Sequence, residues 1–467
     1  MKFCALPIFL GLLSNVLVNC IDESQTDATG LVLSYSPGIS STAVSIYERF
    51  KDRPLEGPSV ILPAGPVATT APISTDRLLS VGTTVFAANR FQNTIWMYDL
   101  SGEPRLLDTV GSGGLTPCSF AYSKNILYVL NCAWNFSGNV GTGIPSVTAF
   151  SVVPEDKEIL KPLPKYTRED KQEDKGILEP LPEYTRALDA YESLGGTQIE
   201  VTPDGKFLLV AIQGQPSVGA TNQGALLTFS LDGGIPSDEP TEVLSGINWF
   251  AAFEMAEFNG QTFIYVESLN DASVAPYRLE TNGSLTPVGP AVVGPPQGAD
   301  AALCWLYRVR NYLYGTNFGT STITSWKINE TDGSVSLLEE AAGGANGHRT
   351  FVKDPATNIT ISGLLDMVAS EGILYVLEPS DNAPVFLGIL VPMDISSFVI
   401  EDDGSLTFSS KTTTHEASNG LAVIDLTPAP TNMPTPAPTP ASSSASAASP
   451  LNMMATIILA IVGGLLL

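Results

Sequence analysis

Side chains able to do chemistry near neutral pH are scarce in this sequence. Only two histidines occur, His348 and His415, and no second histidine stands at a metal-ligand spacing from either. A Gly-x-Ser-x-Gly elbow and a glycine-rich phosphate loop are both missing, so zinc, triad and nucleotide chemistry are not expected, and neither a metal nor a cofactor is read from the sequence. What remains is His348-Arg349 with Asp354 and Asp366 downstream. An imidazole there could carry a proton, with the guanidinium holding a carboxylate, or the group could be a solvated loop. His348, Arg349 and Asp366 are the catalytic candidates on this reading.

The termini say where such chemistry would take place. Met1-Lys2 and the apolar run from Phe3 to Val18 have the make-up of a secretory leader spanning residues 1–20. Past Asp425 there is no charged residue. A Pro/Thr/Ser/Ala-rich stalk (427–450) leads to an apolar tail (451–467), the pattern of a glycosylphosphatidylinositol signal with attachment at Ser442, Ser443 or Ser444. The competing reading is a transmembrane helix, but 17 residues rise only about 26 Å and no basic residue follows them. The chain is therefore expected to be secreted and held on the outer plasma membrane. With 23 Lys and Arg against 48 Asp and Glu, its formal charge of −25 excludes nucleic acid as a partner. Four sequons, at Asn135, Asn282, Asn329 and Asn358, mark expected glycans.

Three cysteines remain once Cys4 and Cys20 leave with the leader. Cys118 and Cys132 flank a hairpin whose turn centres near Asn125, so they should face each other across two strands and form a disulfide. Cys304 matches Cys118 in a later repeat, where the partner position is Phe318, and should stay a buried free thiol.

The elements that position these residues repeat. An aliphatic residue followed three positions later by an aromatic one recurs as Val44/Tyr47, Ile95/Tyr98, Val147/Phe150, Leu226/Phe229, Val274/Tyr277, Ile323/Trp326 and Ile395/Phe398, at a period of roughly 50 residues with two enlarged units. An odd spacing on a strand sends the two side chains to opposite faces, so both faces must be covered. Strands buried on both faces are what a propeller blade requires. Turns such as Asn282-Gly283, Asp332-Gly333 and Asp403-Gly404 supply the positive φ of tight hairpins and are read as turns, not calcium ligands. The expectation is an all-β, seven-bladed propeller over residues 21–426, with strands from the two ends (Leu31 to Tyr35 and Leu421 to Asp425) sharing one blade.

One insertion, residues 155–186, is a tandem duplication. Residues 155–168 and 173–186 agree at eleven of fourteen positions. Charged and rich in proline, it is expected to loop out beyond the third strand of its blade, either as a tolerated surface insertion or as an arm for a partner.

Three stretches carry a family resemblance: Gln198-Ile199-Glu200-Val201-Thr202-Pro203-Asp204-Gly205, the run from Leu303-Cys304-Trp305 to Gly333-Ser334-Val335, and Leu364-Leu365-Asp366-Met367 with Ile373-Leu374-Tyr375. They resemble the lactonase-type seven-bladed propellers, the family of bacterial 6-phosphogluconolactonase and fungal carboxymuconate cyclase. That resemblance implies an axial funnel where some relatives open or close a lactone ring with acid/base and Arg residues. Catalytic relatives tend to carry Arg-His ahead of an inner strand, whereas this chain has Gly195-Gly196-Thr197-Gln198, so no catalytic assignment is carried over. The functional expectation is a monomeric, cell-surface binding or adhesion propeller with an extracellular ligand. Its alternative is an extracellular lactonase or muconate cyclase acting at the funnel.

Overall fold

The computed structural model describes residues 28–36, 43–51, 53–63, 78–90, 92–133, 143–152, 177–214, 223–247, 249–294, 303–318, 320–342, 352–353, 360–361, 366–379, 393–414 and 420–426. Seven antiparallel sheets of four or five strands make a seven-bladed β-propeller, and a two-stranded ribbon joins Val352–Lys353 to Thr360–Ile361. Blade 1 pairs Ala28–Ser36, Ala43–Phe50 and Glu56–Pro63 with the C-terminal strand Leu421–Asp425 innermost. Blades 2 to 7 follow in chain order at 78–111, 117–187, 196–247, 253–293, 303–342 and 367–413. Both ends of the described chain thus meet in one sheet, as the repeat requires.

The aliphatic–aromatic pair explains how the blades stack. Ile95 packs into the seam between blades 2 and 3 while Tyr98 packs into the seam between blades 1 and 2. Val147 and Phe150 divide in the same way, as do Leu226 and Phe229. Every aliphatic member is buried. So is every aromatic one except Tyr277, which is half-buried. Each fully hidden side chain of this size contributes about 1.5–3 kcal/mol.

The hairpin turns clasp neighbouring blades. In Asp403-Gly404-Ser405 the Asp403 carboxylate accepts the Ser405 amide (3.0 Å) and hydroxyl (2.6 Å). Gly404, at φ +85°, lies against the Tyr312 ring of blade 6, where a Cβ would collide. Its carbonyl accepts the Tyr314 hydroxyl at 2.9 Å. Gly333 meets Phe263 of blade 5 in the same manner. These motifs are turns, as read.

Inner strands of neighbouring blades share no backbone ladder; side chains stitch them. Ser80 Oγ donates to the Val423 carbonyl (2.7 Å), the Ile199 amide to Ser119 Oγ (3.1 Å), the Phe253 amide to Gln198 Oε1 (2.8 Å) and Arg308 Nε to the Met255 carbonyl (2.6 Å). Where the chain ends meet, Arg49 lies 1% exposed, with its guanidinium 2.8 Å from Asp425 and 3.3 Å from Glu371. Gly30 leaves the space that the guanidinium fills.

Part of the duplicated insertion departs from expectation. Its second copy does not loop out: Leu178–Pro180 is an outer strand of blade 3, paired with Phe150, Ser151 and Val152, and Arg186–Ala187 pairs with Ser146 and Val147. The sequence reading counted its charges and prolines, but an outer strand needs only one apolar anchor, and Leu178 supplies it at 2% exposure. The first copy lies outside the described residues.

Candidate functional site

The inner strands surround the axis, and their registers allow the blades to be compared level by level. One level is set by the inner-strand residue opposite Phe86, Tyr128, Leu209, Tyr265, Tyr314 and Tyr375, and in blade 1 opposite Leu33. It is occupied by Leu79, Ala121, Glu200, Glu254, Tyr307, Val368 and Ala422. Two neighbouring blades, 4 and 5, therefore place glutamates where the other five place apolar or aromatic side chains. Arg308 stands one residue beyond that level in blade 6 and is fixed by Met255 of blade 5 and by the Arg310 carbonyl (2.8 Å).

Gln198 and Glu200, two apart, share one face of their strand, while Ile199 between them packs back into the seam with blade 3. Gln198 donates to Glu200 Oε1 at 2.8 Å while its carbonyl holds the Phe253 amide of blade 5. Protein crowds the Glu200 carboxyl, and this burial, together with the negative charge of Glu254, pushes its pKa well above the usual carboxylate range. The Gln198 hydrogen bond and the Arg308 charge pull the other way without cancelling the rise. The result is a carboxyl that tends to keep its proton, beside a second glutamate and within the field of a guanidinium. Such a set can donate a proton, accept one and steady a carboxylate.

Of the three catalytic candidates read from the sequence, Asp366 alone lies among the described residues. Asp366 is 3% exposed at the start of the inner strand of blade 7. Its Oδ2 accepts the Leu421 amide (2.7 Å) and its Oδ1 the Met367 amide (2.8 Å), which ties blade 7 to the C-terminal strand. His348 and Arg349 lie outside the described residues, as do Asn135, Asn358 and Ser442, Ser443 and Ser444. Asn282 and Asn329 are exposed at outer turns. Among the described residues no three His, Cys, Asp or Glu side chains gather as a metal-binding group.

Cys118 and Cys132 are bonded, with their Cα atoms 6.0 Å apart. Their approach is not the direct opposition expected. The hairpin turns at Lys124-Asn125, both at positive φ, and a bulge between Pro117 and Ser119 makes Cys118 the extra residue, while the Cys132 amide donates to the Thr116 carbonyl. Cys304 occupies the corresponding bulge of blade 6, between Leu303 and Trp305, and is the free buried thiol expected. Burial, and then the charge of Glu267, push that thiol far up. Glu267 itself is fully buried, with neither carboxylate oxygen hydrogen-bonded, and burial raises its pKa well above the usual range.

No protein-family model and no curated protein matches the sequence. Among solved structures, the chain is similar to a putative 6-phosphogluconolactonase from Bacteroides fragilis (TM-score 0.52, 17% identity, 86% of this chain and 100% of that one). It is also similar to the periplasmic gluconolactonase of Pseudomonas aeruginosa (0.52, 14%, 85% and 99%). A hypothetical selenium-binding protein from Sulfolobus tokodaii is a third (0.56, 10%, 86% and 94%). The chain has the fold of the lactonase-type seven-bladed propellers. At these identities the likeness is one of architecture, and the chemistry has to be argued from the side chains.

Proposed function

We propose that this chain acts on a small lactone or hydroxy acid in its axial channel, with Glu200 and Glu254 as the proton-transfer pair and Arg308 as the carboxylate anchor. The observation that carries this reading is the pair of glutamates at one level of two adjacent inner strands, the pKa of Glu200 being raised by burial and by the charge of Glu254. In lactone hydrolysis Glu254 takes a proton from a water as its oxygen adds to the carbonyl carbon. The ring C–O bond then breaks and Glu200 gives its proton to the departing alkoxide. The carboxylic acid so formed returns its proton to Glu200, Glu254 releases the proton taken from water to solvent, and the new carboxylate pairs with Arg308. The two gluconolactonase-named structures support the substrate class through shared architecture.

Display on the cell surface by a lipid anchor is part of the same proposal, supported by the 451–467 tail and by exposed sequons at Asn282 and Asn329. A binding or adhesion propeller without turnover is the second reading, favoured by Gly195-Gly196-Thr197-Gln198 where catalytic members of the family it resembles tend to carry Arg-His. Incubation of the purified chain with a panel of aldonolactones and muconolactones separates the two. Turnover that falls at least about 100-fold in Glu200→Gln and in Arg308→Met is the expected result. Saturable binding with no turnover, unchanged by either substitution, favours the second reading. Release from cells by a phosphatidylinositol-specific phospholipase tests the anchor, and retention contradicts it.

A further inference from the structure

The outer edge of blade 3 is built to receive one extended peptide. Leu178 sits among Phe86, Phe120, Val129 and Phe150, and its amide donates to Asp108 Oδ2 of blade 2 at 2.9 Å. The Leu181 amide donates to the Ala149 carbonyl at 2.8 Å, and Leu181 and Tyr184 pack on the seam between blades 3 and 4. Arg186 reaches blade 4, where it donates to the Ser237 carbonyl (2.9 Å) and the Pro236 carbonyl and pairs with Asp238 at 3.3 Å. Backbone pairing, two apolar seats and a guanidinium clamp thus select a segment of the form Leu-x-Pro-Leu-Pro-x-Tyr-Thr-Arg.

That segment occurs twice in the chain. Leu160, Leu163, Tyr166 and Arg168 repeat the spacing of Leu178, Leu181, Tyr184 and Arg186. Over residues 159–168 the first copy differs only at Lys161 and Lys165, where the docked copy has Glu179, half-buried, and Glu183, exposed. No seat described above depends on either position. Chain length favours the first copy, since blades 2, 6 and 7 join their third and outer strands by short turns, Asp99 to Arg105, Ile328 to Val335 and Ile400 to Leu406. The step from Val152 to Leu160 is of that length, whereas the step from Val152 to Leu178 is far longer.

We propose that the blade 3 edge accepts either copy, so that residues 159–168 are a resident competitor for the slot that residues 177–186 fill. Shifting one repeat from the loop before the strand to the loop after it changes loop entropy little, because that term grows only with the logarithm of length. What ranks the copies lies just beyond them. Leu188 is 5% exposed and its amide donates to the Pro145 carbonyl at 2.9 Å, while the equivalent place after the first copy is Asp170, whose carboxylate is costly to bury. The exchange changes which charged stretch the rim presents.

Leu178→Asp in the full chain is the test. The expected result is a secreted, folded protein whose thermal midpoint falls several-fold less than in Leu160→Asp/Leu178→Asp, because the first copy takes the vacated edge. In the Leu178→Asp background, Ser151→Cys with Lys161→Cys should then form an intrachain crosslink, as Ser151→Cys with Glu179→Cys should in the parent, where Ser151 and Glu179 are register partners. A single variant as damaged as the double one overturns the proposal. So does a 151–161 crosslink found only between two chains, which would make the first copy a ligand for another molecule.

Discussion

Two groups of charged side chains sit inside this propeller, and they differ in whether their charges cancel. At the joint of the chain ends, Arg49 is enclosed with Asp425 and Glu371 around it and the Thr29 hydroxyl and carbonyl taking its other protons. Burial alone would raise the Asp425 carboxyl, but hydrogen bonds from Ser370 and Arg49 and the Arg49 charge bring it below the usual value. At the axial level of blades 4 and 5, two glutamates adjoin with one guanidinium nearby, and the Glu200 carboxyl is driven up. The joint is electrostatically satisfied and holds the ring shut. The axial level is frustrated: burial and the charge of Glu254 raise the Glu200 pKa, so its ionised form costs stability.

The largest effect that distinguishes the two is structural. Arg49→Met should lower unfolding free energy by about 2–3 kcal/mol in denaturant titrations. That is below the cost of breaking a fully buried pair, because Asp425 and Glu371 keep roughly half of their surface in water. Glu200→Gln should do the reverse, raising stability at pH 8 while lowering turnover at least about 100-fold. An axial carboxylate that proved stabilising would erase the contrast.

Acidity separates the groups further. Glu200 and Glu267 have raised folded pKa values, so their contribution is fully present below the ordinary value of 4.5 and is lost as pH rises through the folded value. Asp425 is lowered, so its contribution is present above the ordinary 3.8 and lost as pH falls through the folded value. Stability measured against pH should therefore lose part of its alkaline decline in Glu200→Gln/Glu267→Gln and part of its acid decline in Arg49→Met. A smaller effect is expected of Glu267→Gln alone: a gain near pH 8 with turnover unchanged, because Glu267 lies at the level of Leu130 and Thr316, away from Glu200.

How much of this the sequence revealed follows from which residues repeat. The aliphatic–aromatic pairs and the Asp-Gly turns recur because every blade must bury both faces and clasp a neighbour, so a period of roughly 50 residues is visible without coordinates. Glu200, Glu254 and Arg308 do not repeat. Their only signal is a charge inside a short apolar strand, in Gln198-Ile199-Glu200-Val201, Phe253-Glu254-Met255 and Tyr307-Arg308-Val309. That Glu200 and Glu254 share a level emerges only when the registers of two hairpins are known, and the bulge at Gly196–Ile199 hides it from residue counting. The bulge at Cys118 displaced the expected disulfide register for the same reason. The outer strand of blade 3 was missed because edge strands carry little periodicity, and Leu178 is one buried residue in a charged stretch.

The account rests on burial and the adjoining charge of Glu254 together raising the pKa of Glu200. Isotope-edited infrared titration of the Glu200 carboxyl measures this directly. A protonated carbonyl band persisting well above pH 4.5 and shifting toward ordinary acidity in Glu254→Gln is the predicted result. Ionisation near pH 4.5 in both proteins would contradict it.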